Sequence, residues 1–367
     1  MQIFVLLILL LYVLLILKYW RGWARNKATA VSHFLPKVTV IIAMRNEEKQ
    51  VAHLLSELKK QVYPTTSLEL ILVNDHSTDD TLQLLETSAI DNLKIINMPE
   101  GVFGKKNAIA TAMKEAIGEI ILASDADCSF SPLWVHTMVA YFADENIKLV
   151  SGPVSYHKQS GVLLGLQTLE FTSLIASGAG AIGIKSAIFC NGANMGYRKQ
   201  VFLEVNNFEN DNAVSGDDVF LLHSVKEKYK DSIAFAKDEN AIVLTDAVQT
   251  IKGFINQRKR WTAKTSGYKD FASIYASFLV LFTNLSLLFL LGAHFFLPDY
   301  FQLFLVFYAV KFAVDFLLLF PALSFFKRKD LAKWIFPFEL FYAFYIVLIV
   351  ILSFTKSFEW KGRMHSK

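Results

Sequence analysis

Three short stretches place carboxylates where they could do chemistry. In SDADCSF (124–130), Asp125 and Asp127 are separated by one alanine and follow, after Ser124, the apolar run Ile120–Ala123. In NDHSTDD (74–80), Asp75 follows a second apolar run, and in SGDD (215–218), Asp217 and Asp218 stand side by side. Two carboxylates at the end of a strand suit a hard divalent cation. Mg²⁺ takes one or two carboxylates and completes its shell with phosphate oxygens and water. A cation held there would neutralise a diphosphate as it leaves, by Lewis-acid stabilisation of the developing charge. An isolated Asp-x-Asp is more often a solvated turn or a helix cap, so its meaning depends on its companions.

The elements that must position these groups can be read from periodicity. KVTVIIAM (37–44) is β-branched and apolar, as a buried strand requires. In the segment that follows, Asn46 can cap a helix, Glu47 and Glu48 suit its first turn, and Val51, Leu54, Leu55 and Leu58 form its apolar face. LELILVN (68–74) predicts a second strand, with Ser77, Thr78 or Asp79 as the cap of the next helix. LKIIN (93–97), KKNAIATAMKEAI (105–117) and EIILAS (119–124) continue the alternation. Strands alternating with helices predict an α/β domain with a mainly parallel sheet covered on both faces. Ligands of such sheets bind beyond the carboxyl ends of the strands. Those ends carry Arg45-Asn46-Glu47, Asn74-Asp75 and Asp125-Ala126-Asp127.

Composition divides the rest of the chain. Apolar residues make up 53% and charged ones 19%, which is apolar-heavy for a purely soluble protein, and the net charge of +4 gives no footing for nucleic acid. Cys128 and Cys190 have no metal-type spacing and read as free thiols of a reducing compartment. Ile3 to Leu17 is almost unbroken apolar sequence followed by Lys18, Arg21, Arg25 and Lys27, with Tyr19, Trp20 and Trp23 as an aromatic border. A cleavable signal carries its charges before the apolar core, so a retained anchor is expected, its C-terminal side cytoplasmic. Apolar segments at about 273–297, 300–326 and 334–355 are each long enough to cross a bilayer. The basic stretches at 258–269 and 327–333 would be cytoplasmic. Four complete crossings then put the basic tail 356–367 outside, against the positive-inside rule, unless one segment is re-entrant or interfacial. Within the third segment, Lys311 and Asp315 stand four apart and can pair on one helix face.

Taken together, VIIAMRNEE, ILVNDHSTDDT, GKKNAI, SDADCSF, FCNGANMGYRKQVF, SGDDVFLL and QRKRW resemble the family-two inverting glycosyltransferases, the nucleotide-sugar-dependent group that includes cellulose and hyaluronan synthases. Each motif is weak alone; their common order and spacing over about 38–265 are not. The resemblance implies a GT-A-type, Rossmann-like fold and α-helical transmembrane segments. It divides the chain into an anchor (1–20), a cytoplasmic nucleotide-sugar-binding catalytic domain (36–248), an interfacial amphipathic segment (249–270), three membrane segments (271–355) and a basic tail (356–367).

Position by position, the resemblance implies that Asn46, Glu47 and Asp75 hold the base and ribose of the nucleotide. A carboxylate can accept from a uracil imide N–H. Lys105 would lie near the nucleotide, Asp125 would face ribose or metal, and Asp127 would be the main ligand of Mg²⁺ or Mn²⁺. Transfer to a hydroxyl needs a base that takes the acceptor's proton. The family usually reads Glu-Asp where this chain has Asp217-Asp218, so the alignment favours Asp218 and leaves Asp217 as the alternative. Asn191 and Asn194 would line the acceptor side. In the QRKRW motif, Gln257 belongs to the signature, Arg260 would lie near the diphosphate, and Trp261 would form a flat surface beneath the acceptor. TIKGFINQRKRWTAK is also amphipathic, and an interfacial role on an anionic membrane is expected for Arg258, Lys259 and Lys264.

The functional expectation is a membrane-bound enzyme of the cell envelope, moving a sugar from a UDP-linked donor to a lipid or a membrane-proximal glycan. Polymer synthases of the family have more membrane helices, which favours single addition over processive synthesis. A polyprenyl-phosphate sugar synthase shares Asp-x-Asp but typically lacks the QRKRW-type signature, and a nucleotidyltransferase would need a Gly-rich loop that AMRNEE does not supply. A catalytically inactive assembly or binding subunit is the alternative of a different class.

Overall fold

The run VTVIIAM forms strand β1 (Val38–Met44), and six of its seven residues are buried. In the computed structural model, which describes residues 2–29, 32–205, 217–265, 267–353, 357–360 and 363–366, β1 lies between two parallel neighbours. These are β2 (Leu68–Asn74) and β4 (Ile120–Ser124), and β3 (Leu93–Asn97) adds to β2 in the same sense. Beyond β4 come β8 (Asn194–Arg198), β6 (Leu149–Ser151) and β9 (Ile233–Phe235), giving the order β3-β2-β1-β4-β8-β6-β9. β8 runs antiparallel to β4 and β6, while β6 and β9 are parallel. The mainly parallel α/β sheet expected from the sequence is present, with one reversed strand. Because β8 is reversed, it begins where β4 ends, Asn194 opposite Ser124. Residues 191–193 therefore join the edge at which β1, β2 and β4 finish.

Helices α2 (Glu48–Lys59), α3 (Thr81–Glu86) and α4 (Lys105–Glu115) fill the first three crossovers. Val51, Leu54 and Leu58 are buried on the predicted face of α2. Asn46, however, does not cap it. Its φ is +53°, and its Oδ1 accepts from the Thr78 N–H at 2.8 Å, tying the loop after β1 to the loop after β2. A second, three-stranded sheet has the order β5 (Ser129–Phe130), β10 (Val243–Thr245), β7 (Val154–Tyr156). This α/β unit comprises residues 26–157 and 189–246.

The other unit, residues 1–25, 158–188 and 247–367, is helical. It contains α1 (Gln2–Arg25), α6 (Val162–Gly183), α9 (Ile251–Thr265), α10 (Phe271–Ala293), α11 (Tyr300–Phe325) and α12 (Ile335–Ser353), and ends in a hairpin of β11 (Ser357–Trp360) and β12 (Arg363–Ser366). Among the described residues five helical stretches are long and apolar enough to cross a membrane: α1, α6, α10, α11 and 329–353. The sequence reading had four, and it placed 158–188 inside a 36–248 domain. The reason for the difference lies in α6 itself. Gln167, Thr168, Glu170 and Thr172 interrupt its apolar run, yet all four are buried. Thr168 and Thr172 donate to carbonyls one turn back (2.8 and 2.7 Å), and Gln167 donates to the Val248 carbonyl at 2.8 Å.

Lys311 and Asp315 pair at 2.8 Å, as their spacing predicts. The pair has further partners: Lys311 also pairs with Glu339 of α12, and the Tyr12 hydroxyl of α1 donates to Asp315 at 2.7 Å. Elsewhere α1 and α6 meet backbone to backbone. A Cβ on Gly180 would lie 2.4 Å from the Tyr19 carbonyl oxygen, and one on Gly183 would lie 2.0 Å from that of Gly22. Such small-residue contacts let apolar helices associate where no hydrophobic gradient drives them. Gly180→Val is expected to force the helices apart and destabilise the protein by about 1–3 kcal/mol, the range for overpacking. A thermal melt in detergent beside Gly292→Val, where a Cβ meets nothing within 4 Å, measures the difference.

Candidate active site at the carboxyl edge of the sheet

Parallel strands that end in register deliver their next residues to one place, and here those residues are polar. After β1, the Glu47 N–H donates to the Thr81 hydroxyl at 2.7 Å and the Asn46 N–H to the Ser77 hydroxyl at 3.1 Å. After β2, Asp75 is buried, and its Oδ2 accepts from the Gly104 N–H at 2.9 Å. Gly104 immediately precedes α4, so this bond fixes the start of the helix that carries Lys105. The Lys105 ammonium forms an ion pair with Asp125 at the end of β4.

Asp127 is held from the second sheet. Its Oδ2 accepts from the Thr245 hydroxyl at 3.0 Å, and Thr245 ends β10. Burial pushes its carboxyl pKa above the usual range, and the negative charges of Asp125 and Glu47 add to the effect. Burial, with the charges of Asp127 and Asp125, also pushes up the neighbouring Cys128 thiol, which is therefore held protonated. Cys128 and Cys190 are both buried and free.

Asp218 lies in the first turn of α8 (Asp217–Lys228). Its Oδ1 accepts from the Val219 N–H at 2.9 Å, a local bond. Its Oδ2 accepts from the Gly192 N–H at 3.0 Å, across 26 residues of chain. A side chain starting at Gly192 would meet both Asp218 Oδ2 and Lys105 Nζ at 3.4 Å. Thus Lys105, Asp125, Gly192 and Asp218 form one neighbourhood. Asn191 shapes this loop by accepting from the Ala193 N–H at 2.9 Å. The side chain of Asp217 lies outside the described residues.

One predicted contact residue does not reach the site. Asn194 is fully buried; it accepts from Trp134 Nε1 at 3.0 Å and donates to the carbonyls of Pro153 (2.9 Å) and Ala241 (2.7 Å). Those bonds commit the carboxamide to joining the two sheets, so its role is structural. Conversely, the backbone N–H groups of Gly104 and Gly192 and the hydroxyl of Thr245 were not among the predicted residues. The glycines lie in motifs that mark the site, but VLT at 243–245 carries no local signal, since only the pairing of β10 brings it to Asp127.

Gln257, Arg260 and Trp261 sit on α9, in the helical unit. Gln257 accepts from Arg258, and the Trp261 ring contacts that of Phe171, 5.8 Å between centroids. The interfacial role expected for Arg258 is overturned. It is 2% exposed, donates to both oxygens of Glu170 on α6 (Nε at 3.0 and 2.9 Å), and lies over the rings of Phe254 and Trp261. The Tyr345 hydroxyl of α12 donates to the same carboxylate at 3.1 Å. The side chain of Lys264 lies outside the described residues.

Residues 39–205 match the family described as Glycosyl transferase family 2. That stretch carries a family 2 glycosyltransferase domain. The match includes Asn46 through Asn194 and stops short of Asp218 and the QRKRW motif. Among similar proteins, the glycosyltransferase AglE of Haloferax volcanii is 27% identical over 189 residues, 50% of this chain and 60% of that one. A poly-β-1,6-N-acetyl-D-glucosamine synthase of Staphylococcus epidermidis is 28% identical over 233 residues, 61% of this chain and 53% of that one. The chain thus spans between half and two thirds of these relatives' lengths. Among solved structures, the mannosyltransferase PcManGT of Pyrobaculum calidifontis, in complex with GDP-Man and Mn²⁺, aligns with a TM-score of 0.58 at 17% identity, over 96% of this chain and 99% of that one. The shared fold is GT-A.

The raised pKa of Asp127 fixes the sign of a stability effect. A carboxyl whose pKa is higher folded than unfolded costs stability once pH exceeds the unfolded value, and the cost is fully present above the folded value. Asp127→Asn is therefore expected to raise the melting temperature of metal-free protein at pH 7.5 and to lose that advantage as the pH falls towards 4. Melting the variant and parent in chelator across that range tests it.

Proposed function

We propose that the protein is a membrane-bound inverting glycosyltransferase that moves a sugar from a nucleotide-diphosphate sugar, UDP-linked, to a hydroxyl of a lipid or membrane-proximal glycan. The observation that carries the reading is the single edge of a family 2 domain where Asp125, Asp127, Lys105 and Asp218 are gathered. Asn46, Glu47 and Asp75 line the ends of β1 and β2 at that edge and would hold the base and ribose.

The donor set fits a divalent cation. Asp127 is a half-buried carboxylate whose charge is disfavoured by burial and by two acidic neighbours, so a cation beside it would be stabilised. Among the described residues no third His, Cys, Asp or Glu joins a ligand cluster. That suits Mg²⁺ or Mn²⁺, which would draw its remaining ligands from phosphate and water. When bound it would neutralise the leaving diphosphate. Lys105, paired to Asp125, would add positive charge on the same side. Asp218, oriented by the Gly192 N–H, would take the acceptor's proton as its oxygen attacks opposite the diphosphate. One such base is sufficient, and attack from that face inverts the anomeric centre.

The five long apolar helices support a membrane location and hence a lipid or membrane-tethered acceptor. The catalytic unit would be cytoplasmic, where the basic flanks of α1 and of the α11–α12 loop would also lie. Processive polysaccharide synthesis is the second reading, favoured by the match to the poly-N-acetylglucosamine synthase.

Detergent-purified protein is expected to be stabilised by one of UDP, GDP or CMP only when Mn²⁺ is present, by about 2.7 kcal/mol at 100 times the dissociation constant. Asp127→Ala should abolish the shift. Asp218→Asn should keep it, while sugar transfer into a membrane lipid extract falls by about 10²–10⁴-fold, the usual contribution of a general base. A protein indifferent to every nucleotide would instead be an inactive assembly subunit.

A further inference from the structure

Two histidines that no sequence motif singles out meet at one hydroxyl. His53, exposed on α2, and His157, just after β7, each bring Nε2 to Ser129 Oγ, at 2.8 and 3.2 Å. Ser129 opens β5, two residues beyond Asp127 in the SDADCSF stretch. A serine hydroxyl has one proton to donate and two lone pairs. Facing two ring nitrogens it can donate to only one of them, so the other imidazole must donate its Nε2–H to Ser129. The three side chains are therefore one connected relay.

The relay closes a ring around Asp127. Asp127 Oδ2 accepts from the Thr245 hydroxyl at 3.0 Å, and the Thr245 carbonyl accepts from the His157 N–H at 2.9 Å. The His157 ring then reaches Ser129, which returns through Cys128 to Asp127. From outside the ring, α2 grips the same strand a second time. One turn beyond His53, the Glu57 carboxylate accepts from the Phe130 N–H at 3.0 Å. The backbone alone holds this turn weakly, because β5 has two residues and its ladder with β10 pairs Phe130 with Val243 and Ser129 with Leu244. Asp127 lies three residues past the end of β4, where side-chain bonds complete what the register of the large sheet begins.

We infer that His53, Ser129 and His157 are positioning residues for Asp127: they hold its carboxylate in the orientation in which it takes a divalent cation. None of the three needs to touch the cation. Both bonds to Ser129 are open to solvent in part, so their loss should disturb where the carboxylate stands more than whether the protein folds. Groups that orient a metal ligand from behind matter for the ion itself, and losing one costs about 10–100-fold in metal affinity.

The inference rests on the reading of Asp127 as a ligand of the cation, and Mn²⁺ binding to the detergent-purified full chain tests the two separately. Free Mn²⁺ is followed by its paramagnetic resonance signal, with Mn²⁺ alone and with Mn²⁺ plus UDP, and each variant is also melted in chelator. Ser129→Ala, which removes the meeting point, should weaken Mn²⁺ binding by about 10–100-fold while its melt in chelator stays with the parent's. His53→Ala and His157→Ala should act in the same direction. His157→Gln, whose carboxamide still offers an N–H, should recover most of the affinity lost in His157→Ala. Unchanged Mn²⁺ affinity in Ser129→Ala overturns the inference. So does a loss of affinity that accompanies a lowered melt in chelator and is not recovered in His157→Gln, since the role would then be structural. A parent chain that binds no Mn²⁺, or whose binding survives Asp127→Ala, overturns the cation reading itself.

Discussion

Met44 stands opposite Asn74 and Ile42 opposite Ser124, and the candidate site depends on that double register of β1. The ladder continues one step past the strands, where the Asp75 N–H donates to the Met44 carbonyl at 2.8 Å and the Met98 N–H to that of Asn74 at 3.0 Å. Beyond those bonds the backbone needs new partners, and the polar residues of three loops supply them to one another. A slip of one residue in any of these strands would turn its buried face outward. The packing of the sheet therefore fixes the positions of Asp75, Asp125 and Asp127 more firmly than any contact among the carboxylates does.

The same site is electrostatically unfavourable. Asp127 is half-buried, is disfavoured as an anion by the charges of Asp125 and Glu47, and has the Thr245 hydroxyl as a neutral donor. Lys105 pairs with Asp125 rather than with Asp127. A fold optimised for stability alone would not keep this arrangement, because isolated buried charge is costly. Function often retains such costs, and a cation with a diphosphate is the kind of ligand that would remove this one.

In the helical unit, polar groups decide which apolar helices are neighbours. Lipid and leucine are equally apolar, so burial alone selects no partner. Arg258, Glu170 and Tyr345 join α9, α6 and α12; Lys311, Asp315, Glu339 and Tyr12 join α11, α12 and α1. Each charged side chain is desolvated, and removing one member would strand another. Such clusters are weak evidence for added stability and better evidence for a specified arrangement. The glycine contact between α1 and α6 adds a shape requirement that no larger residue meets.

Much of this could be read in the sequence. The β-branched runs of β1, β2 and β4, the carboxylates after them, and the long apolar helices at either end are all local patterns: a period, a polar residue at the end of an apolar run, or about twenty apolar residues in succession. Lys311 and Asp315 were legible because a helix puts residues four apart on one face. What sequence could not give were relations between distant segments. Asn194 looked like a contact residue because it lies in a site motif, but burial between two sheets consumes its carboxamide. Arg258 looked interfacial because an exposed amphipathic helix and a buried one share a pattern; the Glu170 carboxylate, 88 residues away, settles which it is. α6 was hidden by its polar residues, whose burial is tolerable only because α9 and α12 and its own preceding turns supply partners. Local periodicity fixed the elements; desolvation and hydrogen-bond satisfaction, which depend on every neighbour at once, were decided only by the tertiary structure.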